Sequence, residues 1–145
     1  EVPFVEKLVQ FGIRNYAEEE WRYVCNSNYR VITYLDQKVK ERMFEGELWR
    51  SITDELIQHL PEKIYLSFDI DGLDPKLCPH TGTPVPGGYD MEQILYIVKR
   101  MIAQGKQLIG FDLVEVGTGE DCVDANVGAI LLWRLCNLLI KSNCT

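Results

Sequence analysis

The sequence has little histidine and no paired-cysteine pattern. Its 145 residues include only two histidines and five cysteines, and no two cysteines form a CxxC motif. Neither a zinc site nor a disulfide framework is therefore predicted. Reduced thiols are typical of a cytosolic compartment, so a cytoplasmic protein is expected. Cys136 lies in an apolar stretch and is predicted to be a small core residue.

Positive charge and long apolar runs are also scarce. Lysine and arginine number 15 against 22 aspartates and glutamates, for a net charge of -7. Such a surface repels phosphate, so neither a nucleic-acid nor a membrane partner is expected, whereas a cationic ligand or a metal ion would suit it. No apolar run approaches the roughly 18 residues that span a bilayer. The length suits one domain, expected over residues 1–145.

Strand and helix signals alternate along the chain. A loop rich in proline and glycine, at residues 69–88, follows the third predicted strand. The alternation predicts an α/β domain with a mainly parallel sheet, in which ligands bind at the carboxyl ends of the strands. The predicted strands are 7–13, 29–35, 63–68 and 107–116, and the predicted helices are 17–25, 46–60, 89–104 and 123–141.

The segment SFDIDGLDP concentrates negative charge directly after an apolar strand. If strand geometry continues, Asp69 and Asp71 point to the same face, where two carboxylates repel unless a cation or a shared proton intervenes. Carboxylate oxygens suit magnesium, manganese or calcium, so these two residues are the metal candidates. Gly72 would permit an unusual turn, and Asp74 is predicted to cap backbone N–H groups in a structural turn.

Three other interpretations compete for this segment. A solvated acidic loop is the simplest. An EF-hand is excluded, because His80 stands at the twelfth position, where a glutamate is needed. A haloacid dehalogenase-like phosphatase would use Asp69 as nucleophile and Asp71 as general acid, with residues 119–124 as its magnesium segment. Against that family, 68 residues precede the motif, and Leu73 replaces its threonine.

The longer string SFDIDGLDPKLCPHTGTPVPGG, residues 67–88, closely resembles the signature of the ureohydrolases, which include agmatinase, arginase and formimidoylglutamase. Flanking segments are similar to other motifs of that family. They are LVQFGIR at 8–14, GFDLVEV at 110–116 and DANVGA at 124–129. The resemblance covers nearly the whole chain.

The resemblance implies a three-layer α/β/α fold and a centre of two manganese ions. Asp69 would bridge the two metals and Asp71 would bind one of them. Hydroxide generated there at neutral pH would attack the guanidinium carbon. Glu115 would pair with the planar guanidinium group of the substrate, and Thr83 would line its pocket. The alternative for Glu115 is an ordinary surface carboxylate.

The sequence also departs from the family pattern. The histidine of a GGDHS-type segment and the ligands of a DAHxD-type segment are missing. The two histidines present, His59 and His80, are expected at a helix end and in a loop. Family members are roughly twice as long and this chain begins with Glu1, so it is expected to be the C-terminal portion of a ureohydrolase. Two aspartates alone would hold manganese weakly, and the isolated chain is expected to be inactive.

The predicted function is manganese-dependent hydrolysis of a guanidino or amidino C–N bond. Agmatine, giving putrescine and urea, is the first expected substrate, and arginase or formimidoylglutamase activity is the alternative. A non-catalytic interaction module is a hypothesis from a different class. The expected partners are a small cationic guanidino substrate and further copies of the protein in a homo-oligomer, whose interface the sequence does not identify.

Overall fold

The computed structural model describes residues 4–144, which form two compact units, one ending at Pro61 and the other beginning at Glu62. Helices and strands alternate as the sequence predicts. The elements are β1 Leu8–Ile13, α1 Glu18–Asn26, β2 Val31–Leu35, α2 Asp36–Phe44, α3 Trp49–Gln58, β3 Lys63–Asp69, α4 Met91–Ala103, β4 Gln107–Val114 and α5 Val123–Asn143.

The first unit is built on a parallel pair of strands. β1 and β2 pair from Leu8 opposite Val31 onward. The ring of Phe11 lies 5.9 Å from the ring of Tyr34 and 5.8 Å from that of Trp49, measured between centroids. This aromatic cluster packs α3 against the strand pair, because buried aromatic rings contribute large apolar areas.

Helix α2 is absent from the sequence-based prediction. It begins at Asp36, directly after β2, and only Asp36 and Val39 among its nine residues are buried. Charged side chains dominate the helix, so it lacks the apolar periodicity by which helices are recognised. The helix predicted at 46–60 is shorter in the structure, and His59 ends it as the C-cap, as expected.

The second unit contains the other parallel pair. β3 and β4 pair from Lys63 opposite Gln107 to Asp69 opposite Val114. Parallel pairing is thus confirmed, but the described strands form two separate two-stranded sheets instead of one sheet. Each two-stranded sheet forms between strands that are connected by a helix, as crossover connections require.

Helix α5 packs on β4 through a single apolar stripe. Its buried residues recur at helical spacing and are Asp124, Gly128, Leu131, Leu135 and Leu138. The opposite side is exposed, including Trp133 at 68% and Ile140 at 61%. Cys136 is exposed too, so its assignment to the core is wrong. The spacing of the buried stripe puts residue 136 outside it.

Within residues 4–144, α5 is the one helix that is long and apolar enough to cross a membrane, with a mean hydropathy of 1.5 over 18 residues. The sequence contains no uninterrupted apolar run of that length, because Arg134 and Asn137 interrupt this helix, but its average hydropathy is nevertheless high. Core helices of soluble proteins meet the same criterion, and the buried stripe of α5 packs inside the unit.

The loop that follows β3 is fixed by close backbone contacts. Leu73 forms an isolated parallel bridge with Tyr89, and the N–H of Asp74 donates to the carbonyl of Tyr89 over 3.0 Å. Gly88 has a φ of +78°, and a Cβ there would lie 2.3 Å from the carbonyl oxygen of Leu73. Only glycine permits both features. Gly72, by contrast, lies in the 3-10 turn Ile70–Gly72 and has no positive φ.

Candidate active site

Asp69 and Asp71 lie together at the carboxyl end of β3. The strand ends at Asp69, and a short 3-10 turn over Ile70–Gly72 follows. Strand geometry therefore does not continue through Asp71. The two residues are held together differently, since the Asp71 backbone N–H donates to Asp69 Oδ1 over 3.1 Å. This side-chain-to-backbone bond is the usual aspartate turn and is locally encoded.

The carboxyl group of Asp69 has a raised pKa. Desolvation by surrounding protein atoms is the main cause, and the negative charges of Asp71 and Glu115 add to it. The neighbouring negative charges thus disfavour ionisation of Asp69. Such repulsion is what a bound cation relieves, and carboxylate oxygens are the donors that manganese and magnesium accept. The oxygen donors of Asp69 and Asp71 are therefore of the kind that a divalent metal accepts.

Thr83 and Glu115 both lie near the loop that follows β3. Thr83 Oγ1 donates to Asp71 Oδ2 over 2.7 Å. Glu115 immediately follows β4 and has a φ of +60°, which is left-handed. Its carboxylate lies against Gly82, where an added Cβ would be 3.0 Å from Glu115 Oε2. The four predicted site residues therefore belong to one neighbourhood, on the ends of β3 and β4 and on the loop between β3 and α4.

Other acidic residues near the strand ends have different partners. Asp112 accepts a hydrogen bond from Ser67 Oγ over 2.8 Å on the sheet surface, and its hydrogen bond raises the pKa of Tyr65. Asp74 accepts the backbone N–H of Lys76 over 3.0 Å, which confirms the structural turn expected of it. These contacts assign both aspartates to local structure.

His80 lies in the loop and not beside the aspartate pair. Its Nε2 is 3.1 Å from both carboxylate oxygens of Asp121, and its backbone N–H lies 3.2 Å from each carboxylate oxygen of Asp124. The segment proposed as a phosphatase magnesium site is therefore engaged with the loop. Sequence reasoning missed Asp124 and Thr81, although an aspartate in the first turn of a helix is a recognisable signal.

Within residues 4–144, no group of three or more His, Cys, Asp or Glu side chains could hold a metal ion. Two carboxylates fill only a few of the coordination positions of a divalent metal, so the need for further ligands stays an expectation from the sequence.

The family model described as "Arginase family" matches residues 2–137. The chain is 34% identical over 139 residues to a guanidinobutyrase of Pseudomonas aeruginosa, covering 90% of this chain and 40% of that protein. It is 35% identical to the mitochondrial agmatinase of Gallus gallus, covering 89% of this chain and 37% of that one. A crystal structure of a hypothetical agmatinase from Burkholderia thailandensis superposes with a TM-score of 0.74 at 29% identity, covering 97% of this chain and 41% of the other.

The chain belongs to the arginase family.

Membership confirms the arginase-like α/β fold expected from the sequence. It also favours a ureohydrolase over the phosphatase. The chain spans less than half the length of the curated relatives it matches.

Proposed function

We propose that the protein carrying this chain is a manganese-dependent ureohydrolase that cleaves a guanidino C–N bond. The observation that carries the proposal is the pair Asp69 and Asp71 at the end of β3 in an arginase-family chain, with Asp71 hydrogen-bonded to Thr83. Agmatine, converted to putrescine and urea, is the first substrate we propose. Its guanidinium cation matches the negative charge of the site.

Each residue of the site has a proposed task. Asp69 and Asp71 would hold the metal, and Thr83 would orient Asp71 through its hydroxyl. Glu115 would bind the substrate guanidinium by paired charge-assisted hydrogen bonds. When bound, the metal supplies a nucleophilic water at neutral pH by lowering the pKa of that water. The pair of aspartates needs additional ligands, which we propose come from polypeptide corresponding to the remaining length of the relatives.

A second substrate has its own support. The relative from Pseudomonas aeruginosa is named a guanidinobutyrase and is 34% identical. 4-Guanidinobutyrate carries the same guanidinium group as agmatine but ends in a carboxylate, so the two substrates present the same reacting group to Glu115. Arginine is the third substrate, since arginases are also among the relatives. We further propose a cytoplasmic homo-oligomer that binds neither nucleic acid nor membranes.

The test uses the whole protein that carries this sequence, loaded with manganese. Urea release is measured with agmatine, 4-guanidinobutyrate and arginine. We expect urea from one of them, and a loss of at least about a thousandfold in Asp69→Asn, on the scale of removing a group essential to the transition state. Asp90→Asn is the matched control, because asparagine caps a helix as well as aspartate does and Asp90 is the N-cap of α4.

Two results would contradict the proposal. One is a fully assembled, manganese-loaded protein that releases no urea from any of the three compounds, which would favour the non-catalytic module. The other is phosphate release from phosphate esters in magnesium, abolished by the same Asp69→Asn substitution.

A further inference from the structure

Thr81 and Asp124 lie beside the candidate active site, but no proposed step uses them. Both are polar and buried, Thr81 at 5% exposure and Asp124 at 0%. A buried carboxylate is unfavourable unless hydrogen bonds compensate for its lost hydration. Their partners therefore indicate what these residues are for. The partners fall in two segments, named here the loop segment (residues 80–83) and the strand-end segment (residues 115–119).

Asp124 fixes the start of the loop segment. Both of its carboxylate oxygens lie 3.2 Å from the backbone nitrogen of His80, which donates to them. Asp124 is the second residue of α5, whose N-terminal dipole favours a negative charge there. The helix therefore offers a rigid, charged acceptor to a loop that has no regular structure of its own.

Thr81 links the loop segment to Glu115. Its hydroxyl donates to the backbone carbonyl of Glu115 over 2.9 Å. Glu115 is held in the left-handed region, at a φ of +60°. Residues other than glycine are uncommon there and need their surroundings to hold them in it. The Thr81 hydroxyl is one such restraint, and the conformation that it stabilises directs the Glu115 carboxylate toward Gly82.

The two segments also touch through their backbones. A Cβ added at Gly117 would lie 2.1 Å from the carbonyl oxygen of His80, so no residue larger than glycine fits without displacement. A Cβ at Gly119 would lie 2.3 Å from the His80 ring. Because the contact is this close, a shift of one segment moves the other.

We infer that Thr81 and Asp124 are positioning residues, which together hold the loop segment on the strand-end segment and so fix the relative placement of Thr83 and Glu115. The inference rests on the proposed function for its kinetic consequence. Its structural consequence is independent of any activity. Without this link the carboxylate that meets the guanidinium would no longer be pre-oriented, and binding would weaken because ordering it costs entropy.

The experiment compares Thr81→Val with Thr81→Ser in the whole manganese-loaded protein. Valine keeps the shape but loses the hydroxyl, whereas serine keeps the hydroxyl. We expect amide hydrogen exchange in both segments to be about tenfold faster in Thr81→Val, the equivalent of one lost hydrogen bond. Exchange inside β3 and α4 should stay unchanged, and Thr81→Ser should restore the wild-type rates.

Kinetics give the second measurement. Thr81→Val should raise the KM for the substrate that releases urea about tenfold, with a much smaller change in kcat, because an interaction that binds the guanidinium is lost. Asp124→Asn should also raise the KM, because the asparagine amide offers one acceptor oxygen to the His80 N–H in place of two. Thr81→Ser should keep KM near the wild-type value.

The outcomes separate this inference from the proposed function. The wild-type protein could release no urea while Thr81→Val speeds amide exchange in these two segments only. In that case the proposed function fails and the positioning role stands. Unchanged exchange in Thr81→Val would overturn the positioning role. Faster exchange throughout the unit from residue 62 onward would also overturn it, and so would a failure of Thr81→Ser to restore the wild-type exchange rates. Either result would show that Thr81 is an ordinary packing residue.

Discussion

Thr83 donates a hydrogen bond to Asp71 over 2.7 Å, from a loop position twelve residues further along the chain. The bond occupies one oxygen of a carboxylate proposed to bind metal, and it thereby fixes the direction of the other. Supporting hydrogen bonds of this kind orient metal ligands in many proteins. The long proline- and glycine-rich loop between β3 and α4 therefore supplies a partner to one of the proposed metal ligands.

Thr83→Val should weaken manganese binding by about tenfold to a hundredfold, because Asp71 loses its orienting partner. Isothermal titration of the metal-free whole protein with manganese measures this. Thr83→Ser retains a hydroxyl and is the control, with an expected affinity within about threefold of wild type. Equal affinities for wild type and Thr83→Val would show that Asp71 needs no such support.

Asp69→Asn should make the metal-free protein more stable at neutral pH. The folded protein raises the pKa of Asp69 above its unfolded value. Ionising this group therefore lowers the stability as the pH rises from the unfolded pKa through the folded one. The exposed position limits the gain to on the order of 0.5 kcal/mol.

Thermal unfolding in the presence of a chelator checks this prediction at several pH values. The advantage of Asp69→Asn should be present at pH 7 and should disappear below the unfolded pKa of the carboxyl group. Asp90→Asn, at the α4 N-cap, should show no such pH-dependent gain. A variant that is less stable than wild type at pH 7 would contradict the assigned cost of ionising Asp69 in the folded protein.

Glu55→Gln should destabilise the first unit by about 1 kcal/mol at neutral pH. Glu55 accepts hydrogen bonds from Arg42 Nη2 over 2.5 Å and from the Tyr34 hydroxyl over 3.0 Å. The Arg42 hydrogen bond is the main cause of the lowered pKa of Glu55. The stability gained from ionised Glu55 is fully present above the unfolded pKa of its carboxyl group. It is lost as the pH falls through the lower folded pKa.

Urea denaturation at neutral and acidic pH measures the difference. Glu41→Gln is the matched control, since Glu41 pairs with Lys38 on an exposed surface of α2. Its effect should be smaller than that of Glu55→Gln at neutral pH. Equal effects of the two variants would mean that the Arg42–Glu55 pair adds no more stability than the exposed Lys38–Glu41 pair.

Gly88→Ala should cost about 2 kcal/mol or more. The alanine would have to keep a φ of +78° and its Cβ would meet the Leu73 carbonyl at 2.3 Å. Gly72→Ala, sixteen residues earlier in the same loop region, meets nothing within 4 Å and should change stability by less than about 1 kcal/mol. Denaturant midpoints of the two variants decide whether the Leu73–Tyr89 bridge fixes the loop.

Leu135→Ala should destabilise the second unit by about 2–5 kcal/mol, because Leu135 is fully buried in the α5 stripe. Leu132→Ala removes the same atoms from the exposed side of the same helix, where the residue is 46% exposed. Its cost should stay below about 0.5 kcal/mol in the isolated chain. A large cost for Leu132→Ala in the whole protein would locate a contact on the outer side of α5.

Much of the fold follows from the sequence alone. Runs of apolar, β-branched and aromatic residues predict both ends of each strand, β1–β4, to within two residues. Asp90 and Gly105 mark the limits of α4, because they favour the backbone conformations at helix ends. α2 escaped prediction because five of its nine residues are charged and they leave no apolar periodicity. Cys136 was misplaced because apolar composition shows that a helix is apolar but does not show which side packs.

The sequence by itself determined the chemistry of this protein: an acidic pair after an apolar strand, a glutamate after another strand, and a signature loop between them. These are local features, encoded by residue type and spacing. Only the tertiary structure decided how they meet. It ends β3 at Asp69, turns the chain so that Asp71 bonds back to it, and places Thr81 and Glu115, 34 residues apart, within one hydrogen bond. Such contacts depend on strand register and loop packing, which no short stretch of sequence specifies.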